Sequence, residues 1–468
     1  MSDDELHWLD MAELARLLHT RKLSPVELTQ AMLGRIERLD GRLKSYVVVT
    51  PELALVQARE AESLIMQRRI LGPMHGVPIA LKDLCFTKGV PTAAGMPIHR
   101  DFVPGFDGTV ASRLRQAGAV MLGKLQMTES AFADHHPSIV PPVNPWNADH
   151  WSGASSSGSG VALAAGLCFA TIGTDTGGSI RYPAAANGVT GLKPTWGRVS
   201  VNGAYELAAS LDHIGTMCRS ATDAGAMLGI IAGADPRDPS ALQAPVPDYL
   251  AGSDRDLHGV RIGIDPAYGS NGVDAVTLAA VERAAAVLRG LGAEFRQVRF
   301  PDTSDAINDW APHCAVETAV AHEKTFPSRR AEYGPGLAGF IDLGRSVSAM
   351  DQQKIWLRRR AFSGRVAALF ETIDLLLIPA QSMASPTQAQ MDTLGVDPEG
   401  FARLIKFSAP FNMSGCPTIT LPGGFTQGGM PVAVQLVSAH LNEALLVRAG
   451  RVFQRETDWH RKHPKLNM

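Results

Sequence analysis

Cysteine is scarce in this sequence and forms no recognisable motif. Cys85, Cys168, Cys218, Cys314 and Cys416 are scattered, odd in number and contain no C-x-x-C pair. That pattern excludes a disulfide framework and a zinc–thiolate site, and reads as reduced core thiols of a cytoplasmic protein. Histidine supplies no metal motif: His135-His136 is the one adjacent pair, neighbouring side chains diverge, and no H-E-x-x-H helix occurs. No metal and no cofactor is therefore expected. Long apolar runs are missing too. The longest, Val161 to Ile172, is well short of the ~20 residues that a membrane span needs. The first residues, MSDDELHWLD, are acidic, unlike the positively charged start of a signal peptide. There is no surplus of positive charge either, with 44 Lys and Arg against 46 Asp and Glu, so neither nucleic acid nor a membrane is expected as a partner.

What is present is a balanced globular composition in which strand and helix patterns alternate. Ser24-Pro25-Val26-Glu27 is a capping box with proline at the first helical position, followed by an amphipathic run to Leu39. Gly76 to Leu81 is a short apolar strand that ends at Lys82-Asp83. Thr109 to Gly118 reads as a helix and Ala119 to Leu122 as a buried strand. A Pro-, Gly- and Ser-rich loop over 137–160 leads into a buried helix at Val161 to Leu167 and a strand at Phe169 to Gly173. Further strands are expected at Gly259 to Ile264, at Ile373 to Ile378 and on both sides of a Gly-rich turn in TITLPGGF…MPVAVQLV. An amphipathic helix is expected at Asp274 to Leu291. This alternation predicts an α/β protein, one large domain over 1–468. Within it we expect a helical N-terminal segment over 1–70.

Three stretches carry candidate chemistry. In Gly173-Thr-Asp-Thr-Gly-Gly-Ser179 two glycines precede a serine, and their freedom at φ lets successive N–H groups converge on an anion. Such a nest stabilises the oxyanion of acyl transfer. No histidine is near Ser179 in sequence to take its proton. Lys82, a charged residue at the end of an apolar strand, is an alternative base if burial keeps it neutral. The loop Gly153-Ala-Ser-Ser-Ser-Gly158-Ser-Gly160 has P-loop glycine spacing, but Ser159-Gly160 stands where Lys-Ser/Thr is required. Taken singly, the three stretches also read as a capped turn, a snorkelling strand-end lysine and a linker.

Taken together and in order, GPMHGVPIALKDL, VNPWN, GASSSGSG, GTDTGGSIRYPAA, GLKPT, NMSGCPTITLPGG and GMPVAVQLV resemble the amidase signature family, the serine hydrolases with a Ser–cis-Ser–Lys triad. The resemblance implies Ser179 as nucleophile, Ser155, 24 positions before it, as the bridging serine, and Lys82 as general base. It implies an oxyanion hole of the N–H groups of Thr176, Gly177, Gly178 and Ser179, and supporting roles for Ser156, Asp175 and Arg181. It also implies a central mixed sheet covered by helices on both faces, a signature core over 72–195, and a substrate-pocket and C-terminal part over 233–468. The bridging serine of the family follows a cis peptide, here Ala154–Ser155. Ala154, Ser157, Ala433 and Ser438 stand where the family usually has glycine, as in a divergent branch.

The implied activity is hydrolysis of an amide C–N bond through an acyl-enzyme, with aryl amides and carbamates (urethanes) among the substrates, and esters as a side activity. The alternatives are the A subunit of a glutamine-dependent tRNA amidotransferase and, from another class, a non-catalytic amide-binding protein. The candidate pocket stretches are Met127 to His136, Val201 to Leu207, Trp310 to Phe326 and Tyr333 to Leu343, with Met127, Thr128 and Tyr205 singled out. They hold no dominant charge cluster, which points to a small neutral or aryl substrate. A monomer or homodimer is expected.

Overall fold

The computed structural model describes residues 6–394 and 397–466, so the first five residues of the expected N-terminal segment lie outside it. One mixed sheet of eleven strands runs through the described residues. The strands are β1 Tyr46–Val49, β2 Pro78–Lys82, β3 Val120–Leu125, β4 Ala170–Asp175, β5 Thr190–Lys193 and β6 His213–Cys218, then β7 Arg261–Ile264, β8 Glu294–Gln297, β9 Leu375–Pro379, β10 Thr418–Phe425 and β11 Pro431–Ser438. Their spatial order is β1-β3-β2-β4-β6-β5-β10-β11-β9-β7-β8. Strand β2 is parallel to both β3 and β4, as expected where helices cross over between strands.

Helices cover both faces. Side chains alternate along a strand, so neighbours point to opposite sides. In β6 a Cβ at Gly215 would meet Ile180, beside the helix Arg181–Asn187, whereas the hydroxyl of the next residue, Thr216, donates to Ala224 of the helix Ala221–Ile231. One hydrophobic core joins Leu14, Ile79, Ile172, Phe411, Val434 and Phe453, so chain ends and centre pack as a single unit.

The N-terminal segment is not helical throughout. Tyr46–Val49, between the helices Pro25–Leu43 and Pro51–Met66, pairs antiparallel with β3. Three consecutive valines after a tyrosine favour the pleated surface over a helix. At the start of the first of these helices Ser24 Oγ accepts from the N–H groups of Val26 and Glu27, as the capping pattern requires.

The arrangement that matters for chemistry follows from the parallel pair β2–β4. Leu81 is in register with Ile172, so Lys82, the last residue of β2, comes beside the carboxyl-terminal half of β4, Gly173 to Asp175. Ligand sites in α/β sheets gather at such ends.

Candidate active site

Lys82 is fully buried, yet its amine is not left without partners. Its Nζ donates to Ser155 Oγ over 2.6 Å and to Thr174 Oγ1 over 2.7 Å. Burial pushes the ammonium down to about 7, against the opposing pull of Cys85, Asp175 and Asp212. Two further strand lysines are equally buried, and burial takes Lys193 to about 7 and lowers Lys124. Their partners differ. Lys193 donates to the carbonyls of Pro194 and Cys416; Lys124 donates to the carbonyl of Cys85 and to Thr92, and lies 3.6 Å from Asp83. Carbonyls have no proton to give. Lys82 alone of the three has two hydroxyls and no carbonyl among its hydrogen-bond partners.

Ser155 follows a cis peptide from Ala154, and its own carbonyl accepts from Thr128 N at 3.2 Å. The loop runs straight into the helix Ser157–Ala164, and its glycines are fitted to close neighbours. A Cβ at Gly153 would lie 2.4 Å from Pro183 Cα, and one at Gly158 2.4 Å from the carbonyl of Ser45. Ser156 N donates to the carbonyl of Ser179, and Ser156 Oγ exchanges hydrogen bonds with the backbone of Thr174. Loop, strand end and turn are thus tied together around Lys82. Ser157 bonds with His135 Nε2 at 3.1 Å.

The turn carrying Ser179 is built on Asp175. Its carboxylate accepts from the N–H groups of Gly178 and Ile180, from Arg181 Nε and Nη2, and from Asn412. Burial alone would raise this carboxyl, but Arg181, Lys193 and Asn412 together hold it well below the usual carboxylate range. Gly178 has φ +135°, and a Cβ there would also strike Tyr182, so only glycine fits. One of the four expected oxyanion donors is engaged: the Gly178 N–H donates to Asp175 Oδ1 at 2.9 Å. Fastening the turn has claimed it, which leaves the N–H groups of Thr176, Gly177 and Ser179 from the expected set.

Ser179 is partly exposed and lines a cavity of about 520 Å³ together with Ala154, Thr176 and Gly177. Phe132, Trp151, Tyr182, Trp310, Met391 and Phe401 supply most of its apolar wall. Trp310 Nε1 donates to the carbonyl of Thr176, and its ring packs so closely on Gly177 that a Cβ there would lie 2.4 Å away. The charged lining residues are Asp134 and Asp392.

Met127, Thr128 and Tyr205 do not line this cavity. Met127 is core, Thr128 is buried with its hydroxyl turned to the carbonyl of Phe132, and Tyr205 packs with Phe86, His99 and Phe102. The chain after β3 is tucked beneath the Ser155 loop, so its backbone serves that loop while the side chains face inward. The stretch 388–405, which supplies Gln388, Met391, Asp392, Phe401, Leu404 and Ile405, lies outside the candidate pocket stretches read from the sequence. Its amphipathic helix Pro398–Ile405 was the available signal.

The chain is similar to proteins of a known family. A family model described as Amidase matches residues 27–447. AmiD, a provisionally named amidase of Mycobacterium tuberculosis, is 48% identical over 467 residues, covering 100% of this chain and 98% of that protein. The A subunit of a glutamyl-tRNA(Gln) amidotransferase from Geobacter is 36% identical, covering 99% of this chain and 100% of its own length. Among solved structures, the native peptide amidase of Stenotrophomonas maltophilia superposes with a TM-score of 0.82 at 30% identity, covering 96% of this chain and 97% of the other.

Proposed function

The chain belongs to the amidase family, whose members include hydrolases of amides, and from that premise we propose that it cleaves the C–N bond of an apolar or aryl amide through a covalent intermediate on Ser179. The observation that carries the reading is the buried Lys82 amine, held near neutrality and hydrogen-bonded to Ser155, whose neighbour Ala154 lines the cavity on which Ser179 opens. In this mechanism Ser179 Oγ attacks the carbonyl carbon, and its proton passes through Ser155 to neutral Lys82. The oxyanion is received by the N–H groups of Thr176, Gly177 and Ser179, without that of Gly178. The C–N bond then breaks, and the proton returns by the same path to the departing nitrogen. Water adds to the acyl group, the carbonyl–Oγ bond breaks, and the acid leaves with Ser179 restored. In resting sites such hydrogen bonds are often long and tighten on substrate binding, which accommodates an open nucleophile.

The aromatic wall favours an apolar acyl group, and carbamates and esters with such a group are expected side substrates. The alternative, glutamine hydrolysis in a tRNA amidotransferase, is favoured by the 36% identity to the A chain of such an enzyme. The cavity opposes it: the carboxylate of glutamine would meet Asp134 and Asp392, with no Lys or Arg among the described lining residues. A screen over primary amides, anilides, aryl carbamates and glutamine, with Lys82→Ala as control, tests the reading. Turnover of glutamine alone overturns the apolar assignment, and full activity of Lys82→Ala overturns the triad.

A further inference from the structure

The N–H groups of Thr176, Gly177 and Ser179 have no hydrogen-bond partner among the described residues, but each belongs to a trans peptide whose carbonyl is held. A peptide is planar, so its C=O and N–H point in opposite directions, and holding one aims the other. Behind the Thr176 N–H, the carbonyl of Asp175 accepts from Asn412 Nδ2 at 3.0 Å. Behind the Ser179 N–H, the carbonyl of Gly178 accepts from Tyr182 N at 2.8 Å. Both anchors belong to the surroundings of Asp175: Asn412 also donates to its carboxylate, and Tyr182 sits beside Arg181 in the helix that the turn enters. Behind the Gly177 N–H, the carbonyl of Thr176 accepts from Trp310 Nε1 at 2.8 Å. This anchor comes from elsewhere, from the helix Ser304–Ala321 on the cavity wall.

Resting on the reaction proposed above, we propose that Trp310 is a positioning residue of the oxyanion hole: by holding the carbonyl of Thr176 it aims the N–H of Gly177 at the oxygen that becomes negative when Ser179 attacks. Two observations support an indole here rather than any ring. Phe132 and Phe401 serve as wall in the same cavity without a donor, whereas Trp310 is buried and its N–H is spent on that one carbonyl. Gly177 is not among the glycines with positive φ; what excludes a side chain there is the indole, whose Cζ2 lies 2.4 Å from where a Cβ would be. Ring and turn are thus fitted to each other at two points. The peptide needs such a hold, because Gly177 and Gly178 leave the backbone after it free to turn. The ring that aims the donor also faces the acyl group, so one side chain serves binding with its face and the transition state with its N–H.

The test separates these two services in the full-length enzyme. Trp310→Phe removes the N–H and shrinks the ring; 3-benzothienylalanine placed at position 310 by nonsense suppression keeps the bicyclic ring and replaces only the N–H with sulfur. Three quantities are measured: kcat for 3-phenylpropionamide, inhibition by 2-phenylethylboronic acid, and inhibition by 3-phenylpropanol. The boronic acid gains Ser179 Oγ on boron while the serine proton passes to Lys82, leaving a tetrahedral boronate whose negative oxygen needs the same donors; the alcohol needs only the wall. Loss of an oxyanion donor costs about 10²–10³ in kcat, and a misaimed one is expected to cost at least fivefold in both variants. The boronate is expected to bind at least fivefold more weakly to both, and the alcohol within threefold of wild type to the benzothienyl form. The inference is overturned if the benzothienyl form loses less than fivefold in kcat or in boronate affinity, or if it loses as much affinity for the alcohol as for the boronate. A wild type that forms no boronate adduct on Ser179 instead overturns the proposed reaction, and this inference with it.

Discussion

Lys82 Nζ donates to Thr174 Oγ1 over 2.7 Å, from the end of β2 to the end of its parallel neighbour β4. The amine is therefore fixed by two strands as well as by Ser155, and under the proposed mechanism Thr174 is a positioning residue. Thr174→Val removes one acceptor that favours the ammonium form. Its kcat is expected to drop about 10-fold or more, with the basic-side activity limb displaced to lower pH. A lower kcat with an unmoved pH profile would show that the contact is merely structural.

Ser179→Ala, Ser155→Ala and Lys82→Ala are each expected to remove most of kcat, by about 10²–10⁶-fold, and double variants are expected to lose little more, because groups that act as a unit are far from additive. Single-turnover kinetics on the six single and double variants measure this. Multiplicative losses would mean that the three side chains act independently.

The kcat/KM profile is expected to rise with pH through about 7, since the base works only when neutral and burial brings Lys82 to about that value. His135 cannot supply this limb: burial takes it to about 4. His135→Ala and His136→Ala are expected to keep the limb. Its loss in either of them, with retention in Lys82→Arg, would reassign the base.

Stability carries the same signature with a defined sign. Lys82 is lowered in the folded protein from 10.5 to about 7. Above about 10.5 it is neutral in both states and costs nothing; as pH falls towards 7 the unfolded chain gains a proton that the folded one refuses, and stability is lost. Lys82→Met, which fits the dry site without a proton, is expected to be more stable than wild type at pH 7 by about 1–3 kcal/mol. The difference should shrink towards pH 10, as followed by denaturant unfolding. A gap that widens with pH would contradict the buried neutral amine.

Arg181→Met leaves the buried Asp175 carboxylate without its strongest partner and is expected to cost about 3–5 kcal/mol. Asp175 fastens the N–H groups of Gly178 and Ile180. Residual activity per folded molecule should therefore fall too, and unfolding curves paired with active-site titration separate the two effects.

The sequence displays the site better than its walls. Lys82, Ser155 and Ser179 come from three short segments whose local requirements are visible in the letters: an apolar strand with a terminal lysine, glycines where a Cβ would strike backbone, and a double-glycine turn. Their meeting follows from the pairing of β2 with β4. The pairing of β1 with β3 was hidden between two strong helix patterns. The cavity wall was less legible because its parts are apolar side chains on distant helices, with nothing local to separate a lining residue from a core residue. Phe401 and Met391 carry no motif, and Met127 looks as suitable as either until the chain after β3 is seen tucked under the Ser155 loop. The engagement of the Gly178 N–H by Asp175 depends on the direction of one carboxylate, which composition and spacing do not encode.

Within the stretch 388–405, the helices Gln388–Leu394 and Pro398–Ile405 form one side of the cavity without contributing any of the three proposed reacting side chains, which all lie between residues 82 and 179. Under the proposed mechanism, chemistry and selectivity would be written on separable pieces of the same molecule. Exchanging that stretch for one of different bulk would retune which acyl groups enter while the proton path stays as it is, so a family of catalysts with new preferences can be drawn from this scaffold by transplanting one segment.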